Sequence, residues 1–283
     1  SLIDVSAQRD GGTVLVGGDY QGSGNGMRAE TINVARGAVI NADSLTAGNG
    51  GKVIIWSDNH TSFDGKITAR GGQNQGNGGL VEVSGKKTLH YDGDVDASAA
   101  QGKPGQLLLD PGNLIVANSS QNNAKHGKGD EFVNVQKVNY LLQTGTDASL
   151  KANNDLTVRA RIDGRSVDGA SGAGINLLGG RNVNIFKNIL TNNGNIKITA
   201  AKGDISMASG KQLYAGNGNI TLTAGKSIQA QNMLTSGAVK LKAGNTISVA
   251  QNLAGGNLGI NAGNGVNLAD VCICLSRYFL GPP

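Results

Sequence analysis

Between Asn193 and Ala262 one pattern of apolar and polar positions is written four times: NGNIKITA at 193–200, NGNITLTA at 217–224, SGAVKLKA at 236–243 and GGNLGINA at 255–262. In each copy apolar residues alternate with polar ones (Ile196 and Ile198, Ile220 and Leu222, Val239 and Leu241, Leu258 and Ile260), the pattern of a strand with one buried face. A second line, Ile205, Ile228, Ile247 and Val266, steps by 23, 19 and 19 residues, against 24, 19 and 19 for the leading positions. A unit of about twenty residues with two or three short strands cannot bury its apolar face alone and must stack on its neighbours. The pattern therefore predicts an all-β parallel β-helix rising about 4.8 Å per coil. Its core would be columns of Ile, Leu, Val and Ala, with Asn and Gly at the corners, where Asn amides can hydrogen-bond along the axis.

The earlier chain carries a longer repeat, GGTVLV at 11, GGKVII at 50, GGLVEV at 78 and PGQLLL at 104. Gly37, Gly65 and Gly93, spaced by 28, lock its register. Residues 117–150 break the repeat. There Val135, Val138, Leu141 and Leu142 fall on one helical face, Asn134 can cap the start and Gly145 the end, so one short helix is expected against the coil. SLKANNDLTV at 149–158 reads as re-entry into the coil, the Gly-, Asp- and Arg-rich stretch 159–180 as a projecting loop, and INLLGGRNVNIFKNIL at 175–190 as strand, turn, strand leading into the four repeats. One 19-residue step beyond Leu258 falls on Arg277, where an apolar residue is expected, so the pattern fails. The organisation predicted is β-helix over 1–116, insertion over 117–150, β-helix over 151–268 and an atypical tail over 269–283, with ten or eleven coils in all.

Composition agrees with a thin solenoid: 45 Gly, only 4% aromatics, and four Pro, too few for collagen. The net charge of +5 divides unevenly, −3 over residues 1–150 (12 Lys+Arg, 15 Asp+Glu) and +8 over 151–283 (13 against 5). A basic rod can attract anionic glycans, lipopolysaccharide or nucleic acid. Lys197, Lys240 and Lys242 sit at outward strand positions, where they also keep a repeat soluble and discourage sideways pairing. Aromatics are too sparse for a base-stacking platform, so no specific nucleic-acid partner is expected. The longest apolar-rich run, Val266–Leu275, contains Asn267 and Asp270 and is about half the length of a spanning helix. The chain starts at Ser1 without Met, which reads as a processed or internal piece with its export signal upstream.

Candidate chemistry is thin. Glycoside hydrolysis needs two carboxyl groups across the scissile bond, and neither an Asp-Asp pair nor a Gly-His-Gly surrounds His60, His90 or His126. Glycine-rich connectors such as GGQNQGNGG at 71–79 lack the Lys-Ser/Thr of a phosphate loop. Asp92, Asp94 and Asp96 in YDGDVDAS would place three carboxylates on one strand face and form a weak calcium candidate. Against it, Asp92 aligns with Asp64 of the preceding repeat, which suggests a turn role. Cys272 and Cys274 would share a strand face, where a mutual bridge is strained; an abnormal end, such as a truncated or shifted reading frame, and an intermolecular bridge are the other readings. No catalytic residue, cofactor or firm metal site is expected.

The runs GGDYQGSG at 17–24, INADSLTAGNGGKVIIWSD at 40–58, GNGGLVEVSGK at 76–86 and GQLLLDPGNLIV at 105–116 resemble the large exoproteins of bacterial two-partner secretion, the filamentous-haemagglutinin-like adhesins. The resemblance extends over residues 1–268. It implies a right-handed coil and an upstream secretion domain recognised by a dedicated outer-membrane transporter. It also implies a location in the medium or on the outer surface of a Gram-negative bacterium, and adhesion to a host-cell or matrix receptor or glycan without catalysis. Two other readings stay open: the shaft of a contact-dependent toxin exoprotein, and a carbohydrate-active β-helix enzyme. Some adhesins of this family carry a carboxy-terminal cysteine pair as a surface tether, though those pairs enclose a longer loop than Cys272 and Cys274 do.

Overall fold

A computed structural model of the chain describes residues 1–118, 130–165, 172–268 and 273–275. All named strand pairings are parallel, and the strands form three faces wound about one core. This is the parallel β-helix predicted from the repeat. On the first face, ten strands stack from Thr13–Val16 through Lys52–Phe63, Leu80–Gly85, Gln106–Leu109 and Asp147–Ala152 to Asn257–Ala262. The four repeats align residue for residue: Ile196 lies on Ile220, Val239 and Leu258, and Ile198 on Leu222, Leu241 and Ile260. The second apolar line forms the second face, with Ile205 on Ile228, Ile247 and Val266.

Over the early coils the third face is the 28-residue signature that Gly37, Gly65 and Gly93 open, with Ile40 on Ile67 and Ile67 on Val95; beyond the helix it escapes a repeat reading because its strands are only two or three residues long. It stacks Ile162, Ile189, Leu213, Met233, Leu253 and Ile273. Its last strand, Ile273–Leu275, belongs to the stretch expected as an atypical tail; Arg277 lies outside the described residues. Of the stretch read as a projecting loop, Ile162–Asp163 is a strand of the third face, and 166–171 lie outside the described residues; Ile175–Gly179 and Val183–Ile185 are the strand, turn, strand expected over 175–190.

The helix forms where expected, over Val135–Thr144. Asn134 Oδ1 accepts from Gln136 N at 3.0 Å, and Gly145, left-handed at φ 93°, returns its N–H to Leu141 O. Val135, Val138, Leu141 and Leu142 are buried. Gly164 permits the close packing, since a Cβ there would lie 2.5 Å from Leu142 Cβ. The helix takes the place of a third-face strand: it packs on both Asp94–Asp96 and Ile162–Asp163 and splits that face into two sheets. A helix is about 10 Å wide, roughly two strand spacings. The second face makes up the height with two strands in one coil. Asp130–Asn134 enters between Thr88–Tyr91 and Asn113–Ala117, out of sequence order, so that Val133 lies between Tyr91 and Val116.

Among the described residues, Asn232 donates its side-chain amide to Gln251 Oε1 one coil on, but the commoner corner bond runs from side chain to backbone. There the side-chain oxygen accepts from the backbone N–H one coil on: Asn195 from Asn219 N at 2.8 Å, and Asn219 from Ala238 N at 2.8 Å. Asp serves equally, since only an acceptor is needed; Asp10 accepts from Asn49 N at 2.7 Å and Asp204 from Ser227 N at 2.8 Å.

Two predictions follow from this register. Replacing buried Leu241 with Lys should cost several kcal/mol by burying an unpaired charge, whereas Lys240→Thr on the exposed side of the same strand should be nearly silent; equal shifts in urea midpoint would refute the assigned faces. Asn219→Ala should cost about 1 kcal/mol in the same measurement, while Asn219→Asp, which keeps the acceptor, should stay near wild type.

Candidate functional surface

Lys137 of the helix reaches the carboxylates expected as a calcium candidate. Its Nζ lies 2.9 Å from Asp94 Oδ1 and 4.0 Å from Asp92 Oδ1, and Arg36 approaches Asp92 at 3.5 Å. Asp96 instead accepts from Ser98 N at 3.0 Å in a local turn. The structure thus gathers Asp92 and Asp94 about an ammonium and directs Asp96 elsewhere. Among the described residues no group of three or more His, Cys, Asp or Glu is arranged to hold a metal ion. His60 Nδ1 bonds Thr88 Oγ1 at 2.8 Å, and His90 Nε2 lies 3.6 Å from Asp64 Oδ1. His126 and Cys272 lie outside the described residues, and of Cys274 only the backbone, paired with Ala254, is described.

A covered site on the outer side of the first face has no counterpart among the sequence candidates. Val53, Ile55, Val81, Val83, Leu107 and Leu109 point into the core, so Ile54, Trp56, Glu82, Ser84, Leu108 and Asp110 point outward. Yet Ile54, Glu82 and Ser84 are fully buried and Trp56 and Leu108 nearly so. The cover is a strap, residues 17–28, that crosses these coils. Gly22, at φ +64°, lies so close to the Trp56 ring that a Cβ would come within 2.3 Å of it. Arg28 sits over the same ring, 5.7 Å from its centroid, and reaches Asp58 at 3.3 Å. Asp19 accepts from Tyr20 N at 2.6 Å and from Lys52 Nζ at 3.0 Å.

Beneath the strap, Gln21 N donates to Glu82 Oε2 at 2.8 Å. Lys151 Nζ donates to Asp110 Oδ2 at 2.6 Å and to Gln21 Oε1 at 3.0 Å. Glu82 Oε1, Ser84 Oγ and Asp110 Oδ1 are buried without a hydrogen bond of good geometry, although the Ser84 hydroxyl lies close enough to act on the Glu82 carboxyl. Burial pushes the Glu82 carboxyl above the usual range, against the opposing pull of the Gln21 N–H, Ser84 and Lys151, and nearby Asp110 adds to the rise. Burial raises Asp110 too, against the hydrogen bond and charge of Lys151. The unbroken apolar runs VII at 53–55 and LLL at 107–109 are the signal in the sequence, since a strand covered on both sides loses its alternation. The cover itself, 25 to 92 residues upstream of these runs, leaves no periodic mark.

Further along, the same outer side is open and basic. Lys197, Lys240 and Lys242 are exposed, with half-buried Thr199, Thr221 and Thr223 in register between them. Residues 172–268 hold eight Lys and Arg against one acidic residue, Asp204. No described helix is long and apolar enough to cross a membrane. No family model matches the chain, and no curated protein matches it.

The sign of the Glu82 shift gives a pH prediction. Folded protein retains on Glu82 a proton that the unfolded chain has released, so this group's contribution falls as pH rises from the ordinary glutamate range through the raised value. Urea midpoints of wild type and Glu82→Gln should therefore coincide most closely at acidic pH and separate toward neutrality, with the variant gaining. A constant separation would refute the shift.

Proposed function

We propose that this chain is part of the stalk of a bacterial adhesin exported by two-partner secretion, presented outside the cell and binding host-cell, matrix or polysaccharide ligands without catalysis. The observation that carries the reading is the open outer side of the first face over residues 172–268. There, in-register stacking repeats Lys197, Lys240 and Lys242 with Thr along the axis at the coil spacing, in a segment that as a whole holds eight cations and one carboxylate. Such a surface offers an extended partner many weak, equivalent contacts rather than one pocket. The four sequence runs that resemble two-partner exoproteins supply the secretory route, and with it an outer-membrane transporter as the partner during export.

The carbohydrate-active alternative is less well supported. Glycosidases place two carboxyl groups on either side of an accessible bond. Here the paired buried carboxyls, Glu82 and Asp110, lie under residues 17–28, and Glu82 is wholly buried. A polysaccharide could reach them only after the strap had lifted from Trp56.

The test is binding of the purified chain to epithelial cells and to immobilised anionic and neutral polysaccharides, with product release measured in parallel. Saturable binding that weakens with salt and falls several-fold in the triple variant K197T/K240T/K242T, without release of reducing ends, is expected. Release of reducing ends from polygalacturonate that disappears on replacing one carboxylate would overturn the proposal in favour of an enzyme.

A further inference from the structure

Along the edge where the chain enters the first face, two depressions join into one groove. One, of about 450 Å³, is lined by Lys103, Gln106, Asp147, Asn176, Asn195 and Lys197. The other, of about 530 Å³, continues toward Thr13 and shares Pro104, Gln106 and Asp147 with the first. Both lie over a single column of the fold. Thr13, Lys52, Leu80, Gln106 and Asp147 are partners in register, and Gly174 and Asn195, which directly precede the paired Ile175 and Ile196, extend the column. Six strand spacings from Thr13 to Asn195 make the groove about 29 Å long. Gly174 leaves the column without a side chain between Asp147 and Asn195. A Cβ there would lie 2.6 Å from Asn195 O, so the stacking of the coils keeps this gap open.

The groove is polar and has hydrogen-bonding capacity left over. Among the described residues, Lys52 is held by Asp19 at 3.0 Å, while Lys103 and Lys197 stand exposed and form no salt bridge. Asp147 is the one acidic residue among those lining either depression, and one of its oxygens accepts from Gly174 N at 2.7 Å. Asn176 gives its amide nitrogen to Ser149 Oγ at 3.2 Å and keeps its oxygen for a ligand. Asn195 does the reverse, its oxygen accepting from Asn219 N while the amide nitrogen is left over. No aromatic side chain is among the described residues that line the two depressions. Neither bases nor the faces of neutral sugars therefore find a stacking partner, and charge and hydrogen bonding select the ligand.

From this geometry we propose that the groove binds a linear acidic polysaccharide, laid along the axis of the rod. Its acid groups meet Lys103 and Lys197, about three coils or roughly 14 Å apart, and its hydroxyls meet Gln106, Asn176 and Asn195. An extended pyranose chain advances by roughly one strand spacing per sugar, so about six sugars fill the groove. The cations outnumber the single carboxylate beside them, which favours a polyanion over a neutral chain. The site is distinct from the open basic stripe, with which it shares Lys197. It goes beyond the adhesive reading, since the groove holds its ligand whether or not the stripe holds cells.

The experiment is titration calorimetry of the folded full chain with oligogalacturonates of increasing length. Affinity should rise with length, level off at about six sugars and weaken as salt is raised. Gln106→Trp, at the point the two depressions share, and Lys103→Glu, on an exposed side chain, should each lower affinity about tenfold. Both should keep wild-type circular dichroism, and both should lose more than K240T/K242T does. Asp147→Asn, which keeps the acceptor for Gly174 N, should tighten binding several-fold at neutral pH. Absence of saturable binding at every length would overturn the proposal. So would equal affinity for uncharged malto-oligosaccharides, or tighter binding of an oligothymidylate that Gln106→Trp also weakens. A loss in K240T/K242T as large as in Lys103→Glu would place the ligand on the open stripe, overturning the groove and leaving the adhesive reading intact.

Discussion

Everything in this molecule hangs on parallel, in-register hydrogen bonding between coils. Once Ile196 is bonded over Ile220 and that over Val239, residues at equivalent positions have no choice but to form a column. An apolar column is a core. A column of corner Asn or Asp residues is a ladder of side-chain acceptors, each holding the next coil's N–H. A column of Lys and Thr on the outside is a basic stripe. The same constraint brings together chemistry that the sequence scatters: Glu82, Asp110 and Lys151 span 69 residues but only three adjacent strands.

How much of this can be read in the sequence depends on whether a feature repeats. The first and second faces and their register are legible because Ile, Leu and Val recur at fixed steps, and the helix because its cap, apolar stripe and terminal glycine are local. The third face is legible over the early coils, where Gly37, Gly65 and Gly93 precede strands that stack in register, and not beyond the helix, where strands as short as Ile162–Asp163 and Ile189–Leu190 are too brief to show an alternation. Nor is the position of Asp130–Asn134, which enters the second face ahead of a strand that precedes it in the chain. No periodicity encodes an inversion of order. Its cause is the thickness of the helix that follows it.

The buried outer site shows a third kind of limit. Alternation assigns Glu82 and Ser84 to the outside of their strand, and they do point outward. Outward is not exposed here, because residues 17–28 lie across them. The clue was the failure of alternation in neighbouring coils, where Ile54, Trp56 and Leu108 occupy outward positions that a solvated face would give to polar residues. The calcium candidate fails to gather three carboxylates for a related reason: Lys137 arrives from the helix, 41 residues after Asp96, and no spacing rule within YDGDVDAS anticipates it.

These departures divide the rod into two mechanical regimes. A plain solenoid couples each coil only to its neighbours, so it can open from an end one coil at a time. The coils beyond Ile175 are of this kind; their pairings run strictly from one coil to the next. The earlier coils are not. The strap leaves the first coil of the first face, bonds Glu82 two coils on and Lys151 four coils on, the latter contact spanning 130 residues of sequence. Lifting any one of these coils therefore disturbs Trp56, the strap and the buried ion pair together, and the five coils from Thr13–Val16 to Asp147–Ala152 gain stability as one block. The helical insertion lies inside that block. A helix in place of a strand gives up the backbone bonds that would otherwise join Asp94–Asp96 to Ile162–Asp163, and the neighbouring coils are tied from outside at the point where the ladder is interrupted.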